Sequence, residues 1–242
     1  PAEALTLDDS AWTYQRLGTT YGGWHYPIGG IGKGDAAITA GAGEDLSFDV
    51  ALARVAGCEV LILDPTPRAK AHFDELAKRT REGELFEINA EDGNHYAIEE
   101  SDLELLRFEE VVFWNETTTL KFFAPRNPKH VSHSALEPAD EREIGFQAKC
   151  CTFDEIQRAF GLPKVRFLKL DIEGAEDVVL DQILERAADI DLYFVQVEFH
   201  RLGDEKVGDV AIRWTNHFRE AGWKLVIREG NNYCYERPGL SQ

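Results

Sequence analysis

AAITAGAGEDLSFDVALARVAGCEVLILDP (36–65) is the stretch that decides the fold. AAITA (36–40) is a short run of small and β-branched residues and reads as a buried strand. It ends in Gly41-Ala42-Gly43. From about Asp45 to Ala56, Leu46, Val50, Leu52, Ala53 and Ala56 recur at near-helical spacing. CEVLIL (58–63) is a second strand, stopped by Asp64-Pro65, and residues 67–80 read as a second helix. Strand, helix, strand, helix argues for an α/β domain with helices packed on a parallel sheet.

The same alternation returns downstream. VRFLKL (165–170) is a strand ending at Asp171, and Glu173 to Ala187 has a helical apolar side. DLYFVQVEF (191–199) is a strand, 207–221 a helix, and WKLVI (223–227) with NYCYE (232–236) a terminal hairpin around Gly230-Asn231. CTFDEIQRAF (151–160) reads as a short helix, with Thr152 and Glu155 forming a capping box. VVFW (111–114) and LKFF (120–123) read as strands, while PRNPKHVSHS (125–134) reads as a loop. The expected organisation is a Gly- and aromatic-rich segment, 1–34, packed on a single domain, 35–242, with an inserted hairpin and loop region at about 82–150. Residues 18–34 within the first segment read as a loop able to approach a ligand closely.

Composition excludes several functions. Against 44 Asp and Glu stand 26 Lys and Arg, a formal net charge of -18. Phosphate backbones and anionic membrane surfaces repel such a chain, so no nucleic acid or membrane partner is expected. No apolar run reaches membrane-spanning length, and the first residues lack a signal-peptide pattern. The chain begins at Pro1 and has no Met, so a removed targeting segment would leave no trace. Cys58, Cys150, Cys151 and Cys234 include no C-x-x-C pair. Reduced thiols in a cytoplasmic protein are the expectation.

A glycine turn between strand and helix is a ligand site because the backbone comes close and the helix start offers free N–H groups. A dinucleotide site wants G-x-G-x-x-G. Here Gly41, Ala42, Gly43, Glu44, Asp45 and Leu46 lack the third glycine and add two carboxylates. Those acids would repel a pyrophosphate and attract a cation. S-adenosylmethionine carries an ammonium and a sulfonium, so charge favours it over NAD. Taken singly, Glu44 and Asp45 also fit ordinary first-turn acids facing the helix dipole. Asp64 lies 23 residues after Gly41, close to the spacing of about 20 for an acid that binds ribose hydroxyls. Singly, Asp64-Pro65 also fits a plain turn. Trp114 either stacks on adenine or packs in the core, and Trp24 either closes over the site or anchors its own segment.

GAGEDLSFD (41–49), LDPTPRA (63–69) and LKLDIEGAE (168–176) resemble the FkbM family of methyltransferases. YGGW (21–24), NPKHVSHS (127–134) and VEFH (197–200) are similar to one branch of it. The resemblance implies a Rossmann-like class I methyltransferase fold, a mostly parallel seven-stranded sheet ending in an antiparallel strand. It implies S-adenosylmethionine as methyl donor and a hydroxyl on a sugar, glycoside or natural product as acceptor. Many members carry Glu where this chain has Asp64; either carboxylate can bind ribose.

Ligands of open α/β sheets sit beyond the carboxyl ends of the strands. Asp171 and Glu173 follow one such strand, and Glu198 and His200 end the next. Gln196, Glu198 and His200 share one strand face. Such a polar stripe needs partners or a ligand. His200 is the first choice of general base because its reference pKa is near neutral, with Asp171 second and Glu173 beside it. Asp171, Glu173, Glu198 and His200 also suit a Mg²⁺ or Mn²⁺ ion, which their spacing allows but does not require. Glu198, Trp24 and His133 are the candidates for the acceptor side. Two other functions remain open: a nicotinamide-dependent oxidoreductase, or a non-catalytic S-adenosylmethionine-binding protein.

Overall fold

The computed structural model describes residues 5–88, 94–123, 144–186 and 189–240. The chain opens with a hairpin, β1 (Tyr14–Leu17) and β2 (Trp24–Pro27), and then enters the main sheet with β3 (Asp35–Ala40). Next come α1 (Ser47–Ala56), β4 (Glu59–Leu63), α2 (Pro67–Glu82), α3 (Glu100–Leu103) and β5 (Leu106–Glu109). A second sheet follows, from β6 (Val111–Phe113), β7 (Thr119–Phe123) and β8 (Ile144–Cys151). The chain returns through α4 (Phe153–Ala159), β9 (Lys164–Leu170), α5 (Glu176–Glu185), β10 (Phe194–Glu198), α6 (Val207–Glu220), β11 (Lys224–Glu229) and β12 (Asn232–Glu236).

Seven strands form the main sheet in the order β11-β12-β10-β9-β3-β4-β5. From β10 to β5 every pairing is parallel, and β12 runs antiparallel between β10 and β11. Its central strands are apolar on both faces, as strands covered from both sides must be. Leu61 and Leu63 face one apolar cluster, with Val195, Val197 and Trp214; Val60 and Ile62 face the other, with Leu46, Val50 and Leu52. Alternation along a strand therefore divides its side chains between two helical layers. The chain runs from β3 outward to β5 and then crosses back to β9 on the other side of β3. This places a topological switch between Ala40 and Leu170, where α/β folds bind ligands.

Three expectations change. The segment read as a loop contains β1 and β2, whose Leu17, Trp24 and Tyr26 are buried. VVF and LKFF do not join the main sheet; they pair with β8 in the second one. The main sheet instead takes β5, which was not recognised because Arg107 and Glu109 alternate with Leu106 and Phe108 on an edge strand. Among the described residues, no helix is long and apolar enough to cross a membrane.

Candidate functional site

A cavity of about 850 Å³ runs along the carboxyl ends of the parallel strands. Gly41 stands at its centre and explains the local sequence. Its φ is 84°, and a Cβ there would lie 1.7 Å from the carbonyl oxygen of Asp171. Only glycine lets the turns after β3 and β9 approach this closely. The Asp171 amide donates to the Ala40 carbonyl at 3.0 Å, which fixes the two turns in register.

Asp64, buried at the end of β4, organises the glycine turn. Its Oδ2 accepts the amide hydrogens of Ala42 at 2.9 Å and Gly43 at 3.0 Å. Its Oδ1 accepts from the Thr66 amide at 2.8 Å and the Thr66 hydroxyl at 2.6 Å. A carboxylate offers about four acceptor positions, and all four are taken. Of these donors, the Thr66 hydroxyl can rotate away for a ribose hydroxyl.

The first turn of α1 is satisfied in the same internal way. Leu46 N donates to the Tyr96 hydroxyl at 3.0 Å, and Ser47 N to Asp45 Oδ1 at 2.9 Å. Asp45 Oδ2 accepts from the Thr19 hydroxyl at 2.6 Å, docking the β1–β2 turn onto the site. Glu44 pairs with Arg68 at 2.5 Å. Both acids line the cavity, as the sequence suggested, but both already hold partners. Asp49, one turn into α1, also lines it.

The acidic end of the cavity is built by three strand ends. Lys169 on β9 is buried; its Nζ donates to the Gly41 carbonyl, lies 3.7 Å from Asp171 Oδ2 and sits 5.2 Å from the Trp24 ring centre. Glu173 has a φ of 55°, the one positive value at a non-glycine among the described residues. A strained turn of this kind clusters at functional sites. His200 follows β10. Its Nδ1 lies 3.0 Å from Glu176 Oε1, and its Nε2 lies 3.8 Å from Asp171 Oδ1 and 3.7 Å from Glu173 Oε2. Burial alone would lower the His200 pKa. The Glu176 hydrogen bond and the charges of Glu176, Asp171 and Glu173 outweigh it and raise the pKa to about 9. His200 is therefore mostly imidazolium at neutral pH, which is the wrong form for a general base. Burial raises the pKa of Asp171 against the pull of Lys169 and His200. It raises that of Glu198 too, with Asp171 adding to the effect.

Asp171, Glu198 and His200 each present one ligand atom within 4.8 Å of the others. Oxygen and imidazole donors of this type fit Mg²⁺ or Mn²⁺. Glu173, expected as a fourth ligand, is outside that set. Gln196, from the same polar stripe, does other work: its side-chain amide bonds the His25 backbone and pins β2 to β10.

Pro65 and Trp24 line the cavity as expected. Trp114 does not; it packs half-buried against Val112, Phe122, Ala148 and Cys150. The wall beyond Asp64 is made by Val111, Val112, Phe113 and Phe122 instead. His133 and the NPKHVSHS stretch lie outside the described residues. Lys169, Glu176 and Asp49 were overlooked in the sequence although they stand inside the quoted motifs. Tyr21 stands at the rim, 87% exposed. Burial first, then the charges of Asp171, Glu173 and Glu198, raise its pKa, so its hydroxyl faces the acidic end.

The donor set fits S-adenosylmethionine better than a dinucleotide. A pyrophosphate needs free turn amides, and those of Ala42, Gly43, Leu46 and Ser47 are engaged. A ligand with a positively charged tail instead meets carboxylates, and its adenine meets the apolar wall.

A family model described as a methyltransferase FkbM domain matches residues 35–225. A crystal structure of methyltransferase FkbM from Methylobacillus flagellatus KT superposes with a TM-score of 0.50 at 11% identity, covering 83% of this chain and 43% of that one. The chain thus spans less than half the length of that structure, and the likeness is one of fold. None of the curated proteins matches the chain in sequence.

Proposed function

The chain belongs to the FkbM methyltransferase family, and from that premise we propose that it is an S-adenosylmethionine-dependent O-methyltransferase of a small hydroxylated molecule such as a sugar, glycoside or natural product. One observation carries this reading: the amides of the glycine turn are closed off by Asp64 while carboxylates line the cavity beside it. That arrangement suits a cationic adenosyl ligand and disfavours NAD.

When bound, S-adenosylmethionine supplies an electrophilic methyl group. The chain's part is to hold an acceptor hydroxyl and receive its proton. Asp171 is the proposed base, because a carboxylate with a raised pKa is a better proton acceptor than an exposed one. His200, fixed by Glu176, supplies a cation that stabilises the developing charge. Glu198 and Tyr21 face the acceptor and give it hydrogen-bonding groups. Much of the acceleration comes from positioning, since an oriented pair of reactants avoids most of the entropy cost of meeting. A Mg²⁺ or Mn²⁺ ion on Asp171, Glu198 and His200 would orient the acceptor oxygen in the same place. The acidic rim favours neutral or cationic acceptors over phosphorylated ones. The four cysteines are buried and unpaired, which supports action in the reducing cytoplasm.

The test is transfer of a labelled methyl group from S-adenosylmethionine to a panel of sugars and glycosides. Label appearing in an acceptor, and lost in Asp171→Asn, supports the proposal. Binding of S-adenosylmethionine with no transfer to any acceptor favours a non-catalytic binding protein.

A further inference from the structure

Asp49 is the most conspicuous acid in the chain that no partner explains. It sits in the first turn of α1, 3% exposed, and lines the cavity. Its Oδ1 has no hydrogen-bond partner within the chain, and neither does the neighbouring hydroxyl of Thr39. A buried carboxylate in this state costs stability unless something else meets it. Lys169 is the nearby cation, but it is held by the Gly41 carbonyl and by Asp171. Glu44 and Asp45 are tied to Arg68 and to Thr19 with Ser47. Asp49 is thus the acid beside the glycine turn that remains open to a cationic ligand.

We infer that Asp49 receives the α-ammonium group of the methyl donor's amino-acid end, so that its unpartnered oxygen is a ligand acceptor rather than a packing defect. This deepens, and rests on, the methyltransferase reading above. The chemistry is direct: an ammonium supplies three donors and a full charge to a carboxylate in a low-dielectric wall. Burial holds the Asp49 pKa above its ordinary value despite Lys169, and an ammonium ligand would bring it down again. The assignment also explains why an uncompensated acid is kept in the core, since binding sites retain groups that stability alone would remove.

Calorimetry on the whole chain tests this with two ligands. S-adenosylhomocysteine carries the amino-acid end; 5′-methylthioadenosine keeps the adenosine and the sulfur without it. Asp49→Asn is expected to weaken S-adenosylhomocysteine by about tenfold or more, the scale of a hydrogen bond to a charged group, and to leave methylthioadenosine within about twofold of wild type. Equal weakening of both ligands, or of neither, overturns the inference. Asp49→Ala is the second variant. Failure of both variants to fold makes the carboxylate structural and overturns it as well. Wild-type protein that binds neither ligand defeats the methyltransferase reading itself, and this inference with it.

Discussion

Asp64 Oδ2 accepts the amide hydrogen of Gly43 at 3.0 Å. With its bond to the Ala42 amide, it folds the turn after β3 onto the end of β4 and removes two donors from the cavity. A glycine turn is usually read as a phosphate cradle because its amides are free. Here the same backbone shape serves the opposite charge.

Asp64→Ala should therefore damage both stability and binding. Hydrogen bonds to a charged group contribute about 1.5–3 kcal/mol each. Losing the network is expected to lower Tm by roughly 5–10 °C for a chain of this size and to weaken S-adenosylhomocysteine by more than about tenfold. Thermal melts and calorimetry on the purified variant check this. Wild-type values for both would mean that the turn holds itself.

Gly41 and Gly43 make a sharper pair. Both have positive φ, but a Cβ at Gly41 meets the Asp171 carbonyl at 1.7 Å, whereas one at Gly43 meets nothing within 4 Å. Gly41→Ala is expected to abolish soluble expression or lower Tm by well over 10 °C. Gly43→Ala should cost only about 1 kcal/mol, the strain of a left-handed alanine. Similar melting points for the two variants would show that the β3–β9 approach is looser than described.

Much of this site was legible before any coordinates. Gly41, Asp64, Asp171, Glu198 and His200 end strands whose apolar runs are long and buried on both faces, so pattern and position agreed. Misses came where a rule of local sequence had no hold. The edge strand β5 alternates Leu106 and Phe108 with charges and gives a weak signal. Trp114 ends its strand as expected, but that strand belongs to the second sheet, which turns the indole to Val112 and Phe122 instead of the cavity. Lys169 and Asp49 matter because of what does or does not lie near them in space, a property no spacing encodes.

Stability should depend on pH through His200. Its folded pKa of about 9 exceeds the unfolded value near 6.5. A raised pKa stabilises the fold fully below the unfolded value, and the contribution fades as pH rises through the folded one. The Tm difference between wild type and His200→Gln, measured in EDTA, should be largest near pH 6 and shrink between about pH 6.5 and 9. A difference that is flat or grows over that interval would show that the imidazole is not held protonated by Glu176, Asp171 and Glu173.

Tyr21 separates the acceptor side from the donor side. Its ring is 87% exposed at the rim, so Tyr21→Ala should fold normally. Its loss is expected to raise the acceptor KM by roughly tenfold, the scale of one lost aromatic contact with its hydrogen bond, with S-adenosylhomocysteine affinity unchanged. A weakened S-adenosylhomocysteine affinity with an unchanged acceptor KM would place Tyr21 over the donor.

Parallel calorimetric titrations of the wild-type chain with S-adenosylhomocysteine and with NADH test the centre of it all. An occupied site at one molecule per chain for the adenosyl ligand and no heat for the dinucleotide is the expected pattern. Saturable NADH binding with none for S-adenosylhomocysteine would contradict it, since no pyrophosphate can be met by a turn whose amides Asp64 already holds.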